Sequence, residues 1–234
     1  NISRLPDLIY ELETFKELKR IRYTTSHPKD MTNDLIKCHK FSKKLVPFVH
    51  LPVQSGSSKI LKAMNRKHTR EEYLDMIKKL KKLRPEIKFS SDFIVGYPGE
   101  TEKDFNETIS LIKEIKFINS FSFIYNQRPG TPGFTNDTVD KDIQLKRLNV
   151  LQNMLSKIQV DENNSQIGKS KKVLVENKLK NQESFFGRLD NLTPVIIQNT
   201  NKNDVGKIID VKIKNSNRNN LFGLKENIKN GAAA

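Results

Sequence analysis

The sequence is poor in the residues that build covalent or metal-held scaffolds. Its 234 residues include one cysteine and no tryptophan. A single cysteine excludes a disulfide framework. It also excludes any zinc or iron–sulfur site made from several cysteines of this chain. His27, His39, His50 and His68 fit no metal-ligand spacing, and His50, in an apolar stretch, reads as a packed core histidine. Cys38 has no partner and reads as an inert thiol. No apolar run approaches the roughly 18 residues that cross a bilayer, so no membrane contact is expected. No basic and apolar signal stretch opens the chain. The first residue is Asn1 rather than Met, which fits an absent N-terminus. There is no Walker-type phosphate loop and no defensible Ser–His–Asp order. Hydrophobic residues make up only 35%, yet they recur in clusters, which argues against full disorder.

Positive charge is what the chain has in excess: 42 Lys+Arg against 27 Asp+Glu, a net +15. Part of it is compositional, because 32 Lys and 23 Asn are what an AT-rich genome produces. Its placement is more informative. Residues 167–234 carry 13 Lys+Arg and 6 Asp+Glu, a net +7. Residues 1–166 carry 29 and 21, a net +8 over a much longer stretch. A basic C-terminal segment is an electrostatic footprint for nucleic acid.

Periodicity organises residues 1–166. Leu5, Leu8, Ile9, Leu12, Phe15 and Leu18 predict a helix over 5–18. Arg20–Thr24 is short and β-prone, and Thr32 is placed to cap a short helix. Leu45–Val53 is apolar and extended, since its two prolines oppose a helix. A helix with Ile60, Leu61 and Met64 on one face follows. Thr69 and Glu72 open the next as a capping box, and it runs to about Leu83. Ile87–Val95 and Phe117–Tyr125 read as strands, with an amphipathic helix over Glu102–Ile115 between them. Lys141–Asn164 is a long helix offering Ile143, Leu145, Leu148, Leu151, Leu155 and Ile158 for packing. Strand, polar loop and helix therefore repeat about four times, which predicts an α/β parallel sheet with ligands at the C-terminal strand ends. After a boundary near Ser165–Gly168 come five short stretches, 173–176, 185–189, 195–198, 206–213 and 221–224. They predict a small closed or nearly closed β-barrel of the OB type. Asn230–Ala234 reads as a floppy, disordered tail.

The unusual polar residues collect at the strand ends. Gln54-Ser55-Gly56-Ser57 offers amide and hydroxyl groups, with backbone N–H groups at a helix start, for a carboxylate or ribose hydroxyls. Asp92 lies in a strand among apolar neighbours and must be partnered or face a cavity. Gly96-Tyr97-Pro98-Gly99-Glu100-Thr101 makes a tight turn where backbone approaches a flat ring, with Glu100 helping to start the next helix. Arg128-Pro129-Gly130-Thr131-Pro132 reads as a rigid rim with an anion-binding arginine.

Four stretches in order, Arg22–Pro28, His50–Ser57, Ser91–Thr101 and Phe121–Tyr125 with Arg128–Pro132, resemble the methylthiotransferase group of radical S-adenosylmethionine (SAM) enzymes. Thr25-Ser26-His27-Pro28 and Phe121–Tyr125 are most similar to the branch acting on dimethylallyladenosine in tRNA. Branches acting on threonylcarbamoyladenosine or on a ribosomal protein, and a non-catalytic RNA-binding remnant, are the alternatives. The resemblance implies part of a (βα)6 TIM-like barrel, about four strands of it, over 1–166. It implies a tRNA-binding TRAM barrel over 167–230. The implied activity is a transferase: radical SAM methylthiolation of C2 of the modified adenosine next to the anticodon, in the cytoplasm. The implied cofactors are SAM and two [4Fe-4S] clusters. By motif, Gln54 and Ser55 would contact the ribose or methionyl part, and Asp92 would line the same cavity. Ile94 and Gly96 would flank adenine, and Tyr125 would contribute from the last strand. Lys169, Lys171, Lys172, Arg188, Lys212, Lys214 and Arg218 are the candidate tRNA phosphate contacts, and Phe185 or Phe186 a stacking residue. The departure is large. The family's CxxxCxxC loop and three further cysteines are absent, so the chain is expected to be an incomplete piece, inactive alone. A missing N-terminal half is then a possible partner if the gene is split.

Overall fold

In the computed structural model the chain forms two compact units, Asn1–Ile158 and Gln159–Ala234. Residues 4–25, 27–130, 133–134, 138–180 and 182–226 are described. The Ser26 and Thr131-Pro132 parts of the motifs, and the tail, lie outside them.

The first unit is a set of parallel strand segments with helices between them. Helix α1 is Leu5–Glu13 and α2 is Asn33–Phe41. Strand β1 (Phe48–His50) precedes α3 (Ser58–Ala63) and α4 (Arg70–Leu83). Strands β2 (Lys88–Ser90) and β3 (Asp92–Val95) lead to α5 (Glu102–Ile115). Strand β4 (Phe121–Ile124) precedes α6 (Lys141–Asn164). The Arg20–Thr24 stretch touches the sheet only through the bridges Ile21–Leu45 and Thr24–His50. β1 pairs with β2, and β3 with β4, both parallel.

The single strand expected over 87–95 is thus two. At Ser91 the backbone N–H donates to Ser120 Oγ (3.0 Å), and the Ser91 hydroxyl accepts from Val53 N (2.9 Å). A side chain takes the ladder's place at its N–H, while its carbonyl already accepts from Phe121 N (3.1 Å) of β4, so the chain changes partner there. β4 begins later than expected because Asn119 is left-handed (φ 49). Helix α1 stops at Glu13 instead of continuing to residue 18. Lys44 Nζ reaches the carbonyls of Glu13 (2.6 Å) and Phe15 (2.5 Å) there, satisfying groups a longer helix would use itself. Phe15 is left exposed. The Thr69–Glu72 box opens α4 as expected. At α5 the cap is Thr101 with Asp104, not Glu100. Tyr73, Phe89, Phe93 and Phe117 are wholly buried. Each such ring stabilises the core by about 1.5–3 kcal/mol.

Helix α6 differs most from its apolar pattern. Leu151 and Leu155 are buried, but Ile143 and Leu145 are 44% and 50% exposed. Gln144 and Arg147 turn inward in their place.

The second unit is a closed barrel in the order β5-β6-β7-β9-β8: Ser170–Lys178, Phe185–Arg188, Pro194–Gln198, Leu221–Lys225 and Ile208–Ser216. β5 closes against β8. Val173, Val175, Phe185, Val195, Ile197, Val211, Ile213 and Leu221 fill it. Bulges at Val175/Asn177 and Ile213/Asn215 supply the bending that closure needs. The end of α6 belongs to this unit: Asn163 Nδ2 donates to the carbonyls of Asn217 (2.8 Å) and Arg218 (3.1 Å).

Candidate functional site

A cleft of ≈ 660 Å³ opens at the C-terminal ends of the parallel strands, with Gln54, Arg66, Ile94, Tyr97, Phe123 and Tyr125 among its lining residues. Gln54 follows β1 in a left-handed conformation, φ 75, rare for a residue with a side chain. Two bonds to β3 hold it there, Gln54 N to Asp92 O (2.9 Å) and Ile94 N to Gln54 O (2.8 Å). Strain of this kind persists only where the surroundings over-determine it, and it concentrates at functional sites.

The turn after β3 forms one wall. Gly96 has φ +72, and a Cβ there would lie 2.5 Å from Gln144 Cγ, so only glycine fits. Its N–H donates to Glu100 Oε2 (2.8 Å), and its carbonyl accepts from Gln144 Nε2 (3.2 Å). Arg147 Nη1 donates to Glu100 Oε2 (2.8 Å) and to the Glu100 carbonyl (3.1 Å). The two side chains are only 7% and 1% exposed. Burial pushes the Glu100 carboxyl above its ordinary value, against the opposing pull of the Gly96 N–H and Arg147. Glu100 is therefore a clasp between the turn and α6 rather than a helix starter. Within the same wall Tyr97 donates to the Ala63 carbonyl (2.8 Å) and meets Tyr125 edge-on, with centroids 4.7 Å apart.

Not every expected residue faces the cleft. Ser55 is fully buried, its Oγ 3.4 Å from Thr108 Oγ1 and accepting from Ser57 N (3.2 Å). Gly56 N donates to Thr108 Oγ1 (2.8 Å), and a Cβ at Gly56 would lie 2.5 Å from Thr108 Cα. Ser57 Oγ donates to Asp104 (2.7 Å). The Ser-Gly-Ser segment is thus docked on α5, which explains its small residues; Gln54 alone of this loop lines the cleft. Asp92 is half-buried, 3.5 Å from His50 Nε2, while His50 Nδ1 lies 2.7 Å from Ser90 Oγ. His50 is therefore part of a polar chain, not a packed core residue.

Arg66 was not singled out by the sequence. It lies in a basic run, Asn65–His68, with no periodic signal. Burial lowers the guanidinium pKa, opposed by the Asp92 charge, and it makes no side-chain hydrogen bond among the described residues. The Tyr125 hydroxyl is buried with no partner among the described residues. A cation and a hydroxyl with unspent bonding capacity, beside two tyrosines, suit a ligand with an anionic group and a flat ring.

No cluster of metal-ligating side chains occurs among the described residues. Cys38 is buried in α2, its thiol donating to the Asp34 carbonyl, and burial pushes its pKa up. These residues do not fit an iron–sulfur cluster, which needs several thiolates. No helix among the described residues is long and apolar enough to cross a membrane.

On the barrel, Lys169, Lys214 and Arg218 are exposed, and Lys171 and Lys212 are half-exposed. Lys172 is paired with Asp210 (2.7 Å) and Arg188 with Glu176 (3.2 Å). Phe185 is core and Phe186 is not.

Residues 2–112 match the Radical SAM superfamily and residues 164–224 the TRAM domain. The chain is 52% identical over 231 residues to the tRNA-2-methylthio-N(6)-dimethylallyladenosine synthase of Pelagibacter ubique (strain HTCC1062), covering 98% of this chain and 52% of that protein. The synthase of Rickettsia canadensis (strain McKiel) is 51% identical over 95% of this chain and 50% of its own length. The chain thus spans about half the length of the curated relatives it matches. Among solved structures, coproporphyrinogen III oxidase from Escherichia coli covers 70% of this chain and 45% of its own at 12% identity. Its TM-score is 0.47, too loose for any argument about the site.

Proposed function

The chain joins a radical SAM superfamily segment to a TRAM domain, and from that pairing we propose that it works in tRNA methylthiolation. It would supply the SAM cleft and the tRNA-binding barrel of an enzyme acting on C2 of N6-dimethylallyladenosine beside the anticodon, in the cytoplasm. The cleft itself carries the reading: Gln54, Arg66, Tyr97 and Tyr125 converge at the strand ends, and the Tyr125 hydroxyl has no partner among the described residues. Arg66 would pair with the ligand carboxylate, Gln54 with ribose or methionyl atoms, and Ile94, Gly96 and Tyr97 would wall the adenine. Asp92, through its field on Arg66, would hold that cation in place. SAM bound there supplies the adenosyl and methyl groups of the chemistry. The protein's part in this half is to bind and orient it and to exclude water. The one cysteine, buried and donating to the Asp34 carbonyl inside α2, does not offer this half a cluster ligand. On the barrel, Lys169, Lys171, Lys212, Lys214 and Arg218 would lie against tRNA phosphates, with Lys172 and Arg188 available only after their ion pairs open.

Isothermal titration of the chain with SAM tests the reading. Wild type is expected to bind, and Arg66→Ala to bind about ten-fold or more weakly, since a charge-assisted hydrogen bond contributes about 1.5–3 kcal/mol. Unchanged affinity in Arg66→Ala, or no binding by wild type, would contradict it.

A further inference from the structure

The outside of the barrel carries an apolar belt that its core does not use. The strand register sets Asn177 opposite Phe186, Phe186 opposite Ile196, Ile196 opposite Phe222, and Phe222 opposite Asn215. The flanking residues Phe185, Ile197 and Leu221 are buried inside. Alternation along each strand therefore sends Phe186, Ile196 and Phe222 outward, and each is partly exposed. β6 and β7 pair antiparallel and β7 and β9 parallel; neighbouring strands in either case lie about 4.7–4.9 Å apart, so the three side chains adjoin in one strip across three strands. A half-solvated antiparallel surface ordinarily carries polar residues there. The exposed amides of Asn177 and Asn215 close its two ends. Arg188 lies over Phe186, its guanidinium carbon 5.1 Å from the ring centroid. Lys212 stands outside opposite Leu224, two residues along β9 from Phe222.

We infer that this belt is a stacking site for unpaired bases of single-stranded RNA, such as those of a tRNA loop. The inference rests on the tRNA reading above and deepens it. Every base has a flat apolar face and sits on an anionic backbone. Stacking surfaces bordered by cations bind such strands with little sequence preference. The belt supplies the apolar surface, Asn177 and Asn215 supply groups for base edges, and Lys212 supplies rim charge, to which Arg188 adds once its ion pair with Glu176 opens. The net +7 over residues 167–234 complements RNA and repels a second copy of the same surface.

Fluorescence anisotropy with a labelled anticodon stem-loop RNA, using the full chain over a series of salt concentrations, tests it. Phe222→Ala is expected to weaken binding about 5- to 100-fold with the salt slope unchanged. Lys214→Ala should instead lower the slope by about one. Phe222→Leu keeps the apolar volume but lacks the ring, and should weaken binding even if the alanine variant does not fold. Wild-type affinity in folded Phe222→Ala and Phe222→Leu would overturn the belt while leaving the tRNA reading standing. Absence of salt-dependent RNA binding by wild type would overturn both. Unchanged RNA affinity with self-association lost in Phe222→Ala would assign the belt to a protein contact and overturn the inference.

Discussion

At the scale of single residues, Gln54 carries the most testable tension. Its φ of 75 costs a non-glycine residue about 1–2 kcal/mol, a cost glycine does not bear. Gln54→Gly should therefore be more stable than Gln54→Ala by about 1 kcal/mol in urea unfolding, while both bind SAM more weakly than wild type. Equal stability of the two variants would mean that the strained conformation is not held in solution. Gln54 and Ile94, which line the cleft, stand at strand ends punctuated by Gly, Pro or Ser, the mark by which the sequence points to them. Arg66 was not legible, because one arginine in a basic run has nothing to mark it. Ser55 misled for a related reason. Small hydroxyl residues beside a glycine look the same whether they face a ligand or a helix, and here they face Thr108.

At the scale of elements, the helices were read well and the sheet less so. α4, α5 and α6 span the residues expected of them. The strand over 87–95 divides at Ser91 because of two side-chain bonds, which no local pattern announces. The inward face of α6 was also hidden: Gln144 and Arg147 are ordinary surface residues by type, and only the Glu100 clasp makes them internal. That clasp has a measurable consequence. Arg147→Met leaves a buried carboxylate without its cation and should cost about 3–5 kcal/mol. Adding Glu100→Gln should recover most of it. The pH dependence has a definite sign. The Glu100 pKa is already raised by burial, so the folded state favours its protonated form more than the unfolded state does. Removing Arg147 raises the pKa further. The variant should be closest to wild type near pH 5 and lose ground as pH rises toward 8. Thermal melts across that range check it; a deficit that does not change with pH would remove Glu100 from the explanation.

At the scale of the whole molecule, the placement of charge and of apolar stretches marks the second unit. The basic C-terminal stretch closes into a barrel whose five strands follow the five apolar stretches of the sequence. The lone cysteine is buried and hydrogen-bonded in α2, so the proposed contribution of the first unit is to bind SAM. The proposed role of the first unit then depends on whether SAM occupies the cleft at the strand ends. The chain also has a concavity of ≈ 780 Å³ between α3, α4 and α5, with Lys59, Arg70, Asp104 and Ser110 among its lining residues. There Lys59 is already paired with Asp104 at 2.9 Å. Hydrogen–deuterium exchange with and without saturating SAM separates the two places directly. Slowed exchange confined to the backbone of residues 54–56, 94–97 and 123–126 is the expected result. Slowed exchange at 57–59 and 103–110 alone, or none anywhere under saturation, would contradict the account.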